Sequence, residues 1–268
     1  MITEKLSYSA WSQYLKCPYA YKRKFINYEK TPTNEWAYYG IGVQKLFENF
    51  INQVVRTGKF GTDDENINWL FANLQSAFES HKDPLEDFNK QSVINNAYLG
   101  ARIFYNLFNA LKFFNPTTVS EHKIIKTYGD MKITGICDFI CTKTHVILDA
   151  KGSKKSYYDK EATVEANQLL LYAYLYNEMY GIYPYIGFVF YHPNMSMVFD
   201  SPDKLDYQNR VVWLQYTKKD LDLLISKMYG TFKEINCDTK FEAKKNKYCG
   251  FCYFKNQCIE KKEEAFVL

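Results

Sequence analysis

An apolar run that stops on two opposite charges narrows the folds open to this chain more than any other feature. Val146-Ile147-Leu148 leads into Asp149-Ala150-Lys151 and then Gly152. A run this short and apolar reads as a strand leaving a core, and residues two apart on a strand face the same side. Asp149 and Lys151 therefore point together at the strand's end. The carboxylate can hold a divalent cation, while the ammonium can face a phosphate or an attacking water. The tripeptide alone says little, because Asp130-Met131-Lys132 and Asp238-Thr239-Lys240 repeat it. Context singles out Asp149: eleven residues earlier, Gly135-Ile136-Cys137-Asp138-Phe139-Ile140 carries a second carboxylate on a strand-like run. Adjacent strands that each present a carboxylate suit a hard cation, Mg or Mn, with Asp138, Asp149 and the Ala150 carbonyl supplying oxygens. The plainer alternative for Asp149 and Lys151 is a salt-bridged strand end.

The rest of the chain divides by texture at Pro116. Before it, the periodicity is helical. Leu6–Leu15 reads as a helix capped at Ser7 or Ser9, broken at Cys17-Pro18 because proline suits a first helical turn and not an interior. A second helix runs on from Pro18 towards Tyr28. Glu35–Arg56, Asp63–Ser80 and Leu85–Phe114 carry apolar stripes at helical spacing. After Pro116, Val119–Tyr128, Lys132–Cys141 and His145–Ala150 read as a meander of three strands, with Glu121 on the first and turn signals between them. A helix over Glu161–Tyr180, strands at Tyr185–Tyr191, Met197–Phe199 and Val211–Tyr216, and a helix over Thr217–Phe232 follow. That order predicts an α/β fold with a mixed central sheet flanked by helices. The organisation expected is one domain over 1–268. Within it, 1–115 is a helical amino-terminal part, 116–235 the core, and 236–268 a carboxyl-terminal cysteine segment.

These residues also resemble a known family. Gly-x-x-Asp-x-Ile at 135–140, the strand closing on Asp149-x-Lys151, and Gln168-Leu-Leu-Leu-Tyr172 together resemble the RecB-like branch of the PD-(D/E)XK nucleases. Ser9-x₄-Tyr14-x₂-Cys17-Pro18-x₂-Tyr21 resembles the amino-terminal signature of that branch. Gly40, Gln44 and Glu48 fall where it has Gly-x-x-x-His-x-x-x-Glu. The resemblance implies a restriction-endonuclease-like sheet and a metal-dependent phosphodiesterase. Asp138 and Asp149 would be its metal ligands, with Lys151 orienting the attacking water and offsetting charge that develops on the phosphate. Gln168 and Tyr172, one turn apart on a helix face, would contact DNA or the active-site lysine. In the family the histidine is commonly a metal ligand. An amide oxygen is a weaker ligand for Mg or Mn, so Gln44 is read either as its replacement or as a structural helix position. Ser153, Lys154, Lys155 and Ser156 suit phosphate contacts.

Seven cysteines stand in a chain with no apolar run approaching the ~20 residues of a membrane span and no signal-peptide h-region at its amino end. The expectation is a cytoplasmic protein in which cysteines bind metal and do not form a disulfide framework. Cys249-x₂-Cys252-x₅-Cys258 lacks a fourth ligand. Cys237 would complete a local zinc knuckle, whereas Cys17 would clasp the two ends of the chain. The second arrangement resembles the iron–sulfur nucleases of the AddB type and the CRISPR-associated RecB-like exonucleases, and implies a [4Fe–4S] cluster on Cys17, Cys249, Cys252 and Cys258. Cys137 and Cys141 read as buried core.

The activity expected is metal-dependent DNA cleavage, as an exonuclease more than an endonuclease, on single strands or DNA ends. Recombination, repair and CRISPR adaptation are the settings that the resemblance implies. The net charge of +4 does not by itself mark a nucleic-acid binder, but 18% aromatic residues can supply stacking platforms. No Walker motif is present, hence no motor. Two rivals stand beside this reading. One is a nucleic-acid-binding module with weakened catalysis, motivated by Gln44. The other is an iron–sulfur redox or sensing protein on a nuclease scaffold.

Overall fold

A computed structural model describes residues 3–82, 84–85, 87–152, 162–192 and 210–258. By its internal contacts the chain forms two compact units. The first combines Met1–Thr31, Ile125–Thr134 and Leu223–Leu268; the second combines Pro32–Ile124 and Gly135–Asp222.

The first unit is built from both ends of the chain. A short strand, β1 (Lys5–Ser7), runs into helix α1 (Tyr8–Lys16), and Ser7 caps that helix by accepting the Ala10 N–H. The strand is a departure from the helix expected from Leu6. Lys5, Leu6 and Ser7 pair in parallel with Lys132, Ile133 and Thr134, an interaction that local periodicity does not reveal. Cys17 and Pro18 break the helix as expected: α2 (Pro18–Tyr21) starts with the proline in its first turn and continues as a π-helical turn over Lys22–Ile26. At the other end of the chain, α7 (Lys218–Cys237) brings Thr231 to accept from the Trp11 indole at 3.1 Å. Tyr14 donates to Asp238 at 2.9 Å, and Tyr21 stacks on Phe241.

The second unit holds the helical half and most of the sheet. Helices α3 (Glu35–Thr57), α4 (Asp63–Glu79) and α5 (Lys90–Ala110) follow the apolar stripes, each capped by an Asn or Thr side chain. The last of these was expected from Leu85. Leu85 instead makes an isolated bridge with Thr33, and Asn89 caps the helix, so the apolar period ran past the true start. Phe47, Phe104 and Phe108 pack with Phe139, Leu148 and Val189 in one core. Strands β2 (Thr118–Tyr128), β3 (Met131–Cys141) and β4 (Val146–Lys151) lie where the sequence puts them. The pair β3–β4 is antiparallel, β4 pairs in parallel with β5 (Tyr185–Phe190), and β5 pairs antiparallel with β6 (Val211–Leu214). The sheet is therefore mixed, and α6 (Ala162–Tyr180) packs against β4 and β5. Gly135 permits a close approach there, since a Cβ at that position would stand 2.7 Å from Leu175 Cδ1 and 3.1 Å from the Tyr172 ring. Cys137 and Cys141 are buried, as the sequence suggested. The strand expected at Met197–Phe199 lies outside the described residues. Among the described residues, no helix is long and apolar enough to cross a membrane.

Candidate active site

Strand register brings the two aspartates together. Phe139 pairs with Leu148, and the Ala150 N–H donates to Asp138 Oδ2 at 2.9 Å. A backbone donor thus orients one carboxylate beside the strand that carries the other. Asp149 is 1% exposed, and its Oδ2 lies 2.7 Å from Lys151 Nζ but outside hydrogen-bonding geometry. A buried carboxylate oxygen with no hydrogen-bond donor is costly to maintain unless charge balances it, and here the ammonium does so. Asp138 has its pKa raised well above the ordinary carboxylate range, first by desolvation and then by Asp149, with Lys151 and the Ala150 N–H opposing the shift.

Lys151 is held from its other side by α6. Its Nζ donates to Gln168 Oε1 at 3.1 Å, and Gln168 Nε2 donates to the Tyr172 hydroxyl at 2.8 Å. The direction of this chain follows from donor chemistry. An ammonium has only donors, so the amide must turn its oxygen to Lys151, and its NH₂ then needs an acceptor. Tyr172 is 5% exposed, and burial together with the two aspartates pushes its phenol well above the usual range. It therefore remains a neutral acceptor. All five residues predicted for the chemistry, Asp138, Asp149, Lys151, Gln168 and Tyr172, lie in the second unit and form one connected set.

Glu121, on β2, is not one of these five, and the structure brings it near enough to feel Asp149. Its carboxyl accepts from Gln44 Nε2 at 2.7 Å. Its pKa is raised by desolvation and then by Glu48, with Gln44 and Lys45 opposing and Asp149 adding a further upward push. Glu121 also has φ of +49°, unusual for a non-glycine residue and in the middle of β2. Such local distortion re-aims a side chain. No local signal in the sequence marks this, because Gln44 lies 77 residues away.

The cysteines of interest belong to the first unit. Cys17 Sγ accepts the Lys244 N–H at 3.5 Å, and Cys249 Sγ accepts the Asn246 N–H at 3.3 Å. Asn246 Nδ2 donates to the Lys16 carbonyl at 2.8 Å, tying the same turn to the residue before Cys17. Cys17 and Cys249 therefore face one loop, although most of the chain separates them. Hydrogen bonds to the sulfurs are among the features that tune an iron–sulfur site. Cys252 and Cys258 are partly buried, and Cys237, at the end of α7, is exposed. Among the described residues, no three His, Cys, Asp or Glu side chains are drawn close enough to hold an ion. Lys154, Lys155 and Ser156, together with Ser153, lie outside the described residues.

Comparison with known proteins accords with this geometry. A family described as the PD-(D/E)XK nuclease superfamily matches residues 5–259. None of the curated proteins matches. Among solved structures, a "putative exonuclease" from Eubacterium rectale superposes with a TM-score of 0.52 at 12% identity, covering 95% of this chain and 88% of that one. At that identity the likeness concerns the fold alone. The structure of SSO0001, at 11% identity and a TM-score of 0.35, covers 93% of this chain and 94% of its own and carries no argument.

Proposed function

The chain belongs to the PD-(D/E)XK nuclease superfamily, and on that premise we propose that it hydrolyses phosphodiester bonds of DNA at the Asp138–Asp149–Lys151 site. The observation that carries this reading is the register-fixed pair of aspartates, with Lys151 held between Asp149 and Gln168. The donor set is all oxygen, and this suits Mg or Mn. Asp138, Asp149 and the Ala150 carbonyl would hold the ion. When bound, such an ion neutralises phosphate charge and favours formation of the nucleophile. The chain's own residues orient the reaction. Asp149 and Gln168 aim the Lys151 ammonium, which positions water and offsets charge developing on the phosphate. Tyr172 keeps the Gln168 oxygen turned towards the lysine.

Gln44 presents its NH₂ to Glu121, which leaves its amide oxygen as the prong for a cation in place of the family's histidine. On this reading Gln44→Ala raises the Mg or Mn concentration that half-saturates cleavage, and unchanged metal dependence makes Gln44 structural. Cys17, Cys249, Cys252 and Cys258 are assigned to a [4Fe–4S] cluster that clasps the ends of the chain, the arrangement of the iron–sulfur RecB-like branch. The N–H donors to two of these sulfurs support it. A cytoplasmic setting, where thiols stay reduced, suits the cysteine site.

Exonuclease action on single strands or ends follows from the same branch. The test is purified protein with Mg or Mn on 5′- and 3′-labelled single- and double-stranded DNA, beside a closed circle. Stepwise loss of label from linear DNA with the circle intact is expected. Cutting of the circle makes it an endonuclease, and binding without any cutting makes it a binding module.

A further inference from the structure

The segment between the loop at Lys244 and Cys258 exposes aromatic side chains that a folded chain normally buries. Tyr248 is 49% exposed, Phe251 94% and Tyr253 56%. They are not on a loose tail. Phe254 is buried beneath the Arg23 guanidinium, 5.1 Å from its ring centroid. Asn246 is bonded to the Lys16 carbonyl, and a 3₁₀ turn runs over Cys249–Phe251. The aromatic rings are thus presented from an anchored backbone. The charge around them is of one sign: residues 244–258 carry Lys244, Lys245, Lys247 and Lys255 and no Asp or Glu. Two ammonium groups flank one ring, with Lys16 Nζ 5.0 Å and Lys247 Nζ 5.4 Å from the Tyr248 centroid.

We infer that this face of the first unit is a contact surface for single-stranded nucleic acid. Phe251 and Tyr248 stack on unpaired bases, and the interleaved lysines meet the phosphates. Aromatic rings alone would equally suit a protein partner. An acid-free run of lysines between them favours a polyanion whose bases offer flat faces at regular intervals. Stacking requires unpaired bases, so the surface discriminates strand from duplex. The inference rests on the proposed DNA substrate for the identity of the ligand, but not on the catalytic residues.

The experiment is fluorescence anisotropy with a labelled oligo-dT strand and a labelled blunt duplex, in EDTA so that neither is cut. Tyr248→Ala with Phe251→Ala is expected to weaken strand binding about tenfold or more while leaving duplex binding within about twofold. Phe251→Trp should hold or strengthen strand binding. Lys244→Gln with Lys245→Gln should flatten the slope of log affinity against log salt by about 1.4. Phe251 is almost wholly exposed, so its replacement leaves the fold intact, which circular dichroism checks. Strand affinity unchanged in the aromatic variant, or an equal loss on strand and duplex, overturns the inference. Wild-type protein that binds the strand yet never cuts it with Mg or Mn ends the nuclease reading and leaves this surface standing. Normal cutting with unchanged binding in the variants does the reverse.

Discussion

The two units solve the placing of functional side chains in different ways. In the second, Asp138 and Asp149 are eleven residues apart in sequence and are set side by side by backbone pairing between adjacent strands. In the first, Cys17 and Cys249 are brought to one loop from opposite ends of the chain by individual contacts: Asn246 to Lys16, Tyr14 to Asp238, Trp11 to Thr231. A site made by strand register inherits the stiffness of the sheet. A site made by closure of most of the chain depends on whatever holds the ends. The carboxylate site should therefore lose chemistry and keep its fold when altered, whereas the cysteine site should lose stability.

The largest stability effect expected is at the clasp. If the cluster is held by Cys17, Cys249, Cys252 and Cys258, Cys17→Ser should remove iron and lower stability by of order 4–5 kcal/mol, the chain-entropy value for so long a loop before strain. Iron analysis and chemical denaturation of anaerobically prepared protein check this. Cys237→Ser should do neither. Stoichiometric zinc that needs Cys237 and not Cys17 would replace the clasp with a local knuckle.

A smaller change should separate chemistry from fold in the second unit. Tyr172→Phe removes the acceptor for Gln168 Nε2 and frees the amide to turn away from Lys151. Single-turnover cleavage should slow about tenfold, the equivalent of about 1.4 kcal/mol. Metal affinity measured by calorimetry should hold, because Asp138 keeps its bond from the Ala150 N–H and Asp149 keeps its place on β4.

The smallest effect concerns a triplet that only imitates the site. Asp238 forms part of Asp238-Thr239-Lys240, yet its carboxylate accepts the Phe241 and Lys240 N–H groups and the Tyr14 hydroxyl. Burial raises its pKa, but those donors outweigh burial and hold it below the ordinary value. A folded-state pKa below the unfolded one contributes stability above the unfolded pKa of about 3.9, and that stability is lost as the pH falls through the folded pKa. Asp238→Asn should therefore melt lower than wild type at pH 7, with the difference shrinking below about pH 4. A thermal melt series across pH 3–7 reads this, and a gap independent of pH would remove the charge from the explanation.

The same contrast explains what could be read from the sequence. Asp138, Asp149 and Lys151 were legible because a strand's period of two and an apolar run of three fix where their side chains point. Gln168 and Tyr172 were legible because one helical turn separates them. The break at Cys17-Pro18 was legible because proline has no N–H to give. Strand β1 was not, since the strand it pairs with lies more than a hundred residues away. The start of α5 was misplaced because Leu85 and Phe88 keep a helical period while packing outside the helix. Glu121 was passed over because its place depends on a backbone distortion and on a glutamine in another helix, neither of which leaves a local pattern.

The central claim is that context, not the Asp-x-Lys tripeptide, makes the active site. Asp130 belongs to an identical triplet and is engaged with Lys233 at 2.7 Å and the Tyr229 hydroxyl at 2.9 Å on an exposed surface. The direct measurement is the single-turnover rate of label release from single-stranded DNA, with Mg or Mn, for Asp149→Asn beside Asp130→Asn. The account predicts a fall of about a thousand-fold or more for the first and a rate within about twofold of wild type for the second, as for other surface substitutions. Wild-type turnover by Asp149→Asn, with contaminating nuclease excluded, would contradict it.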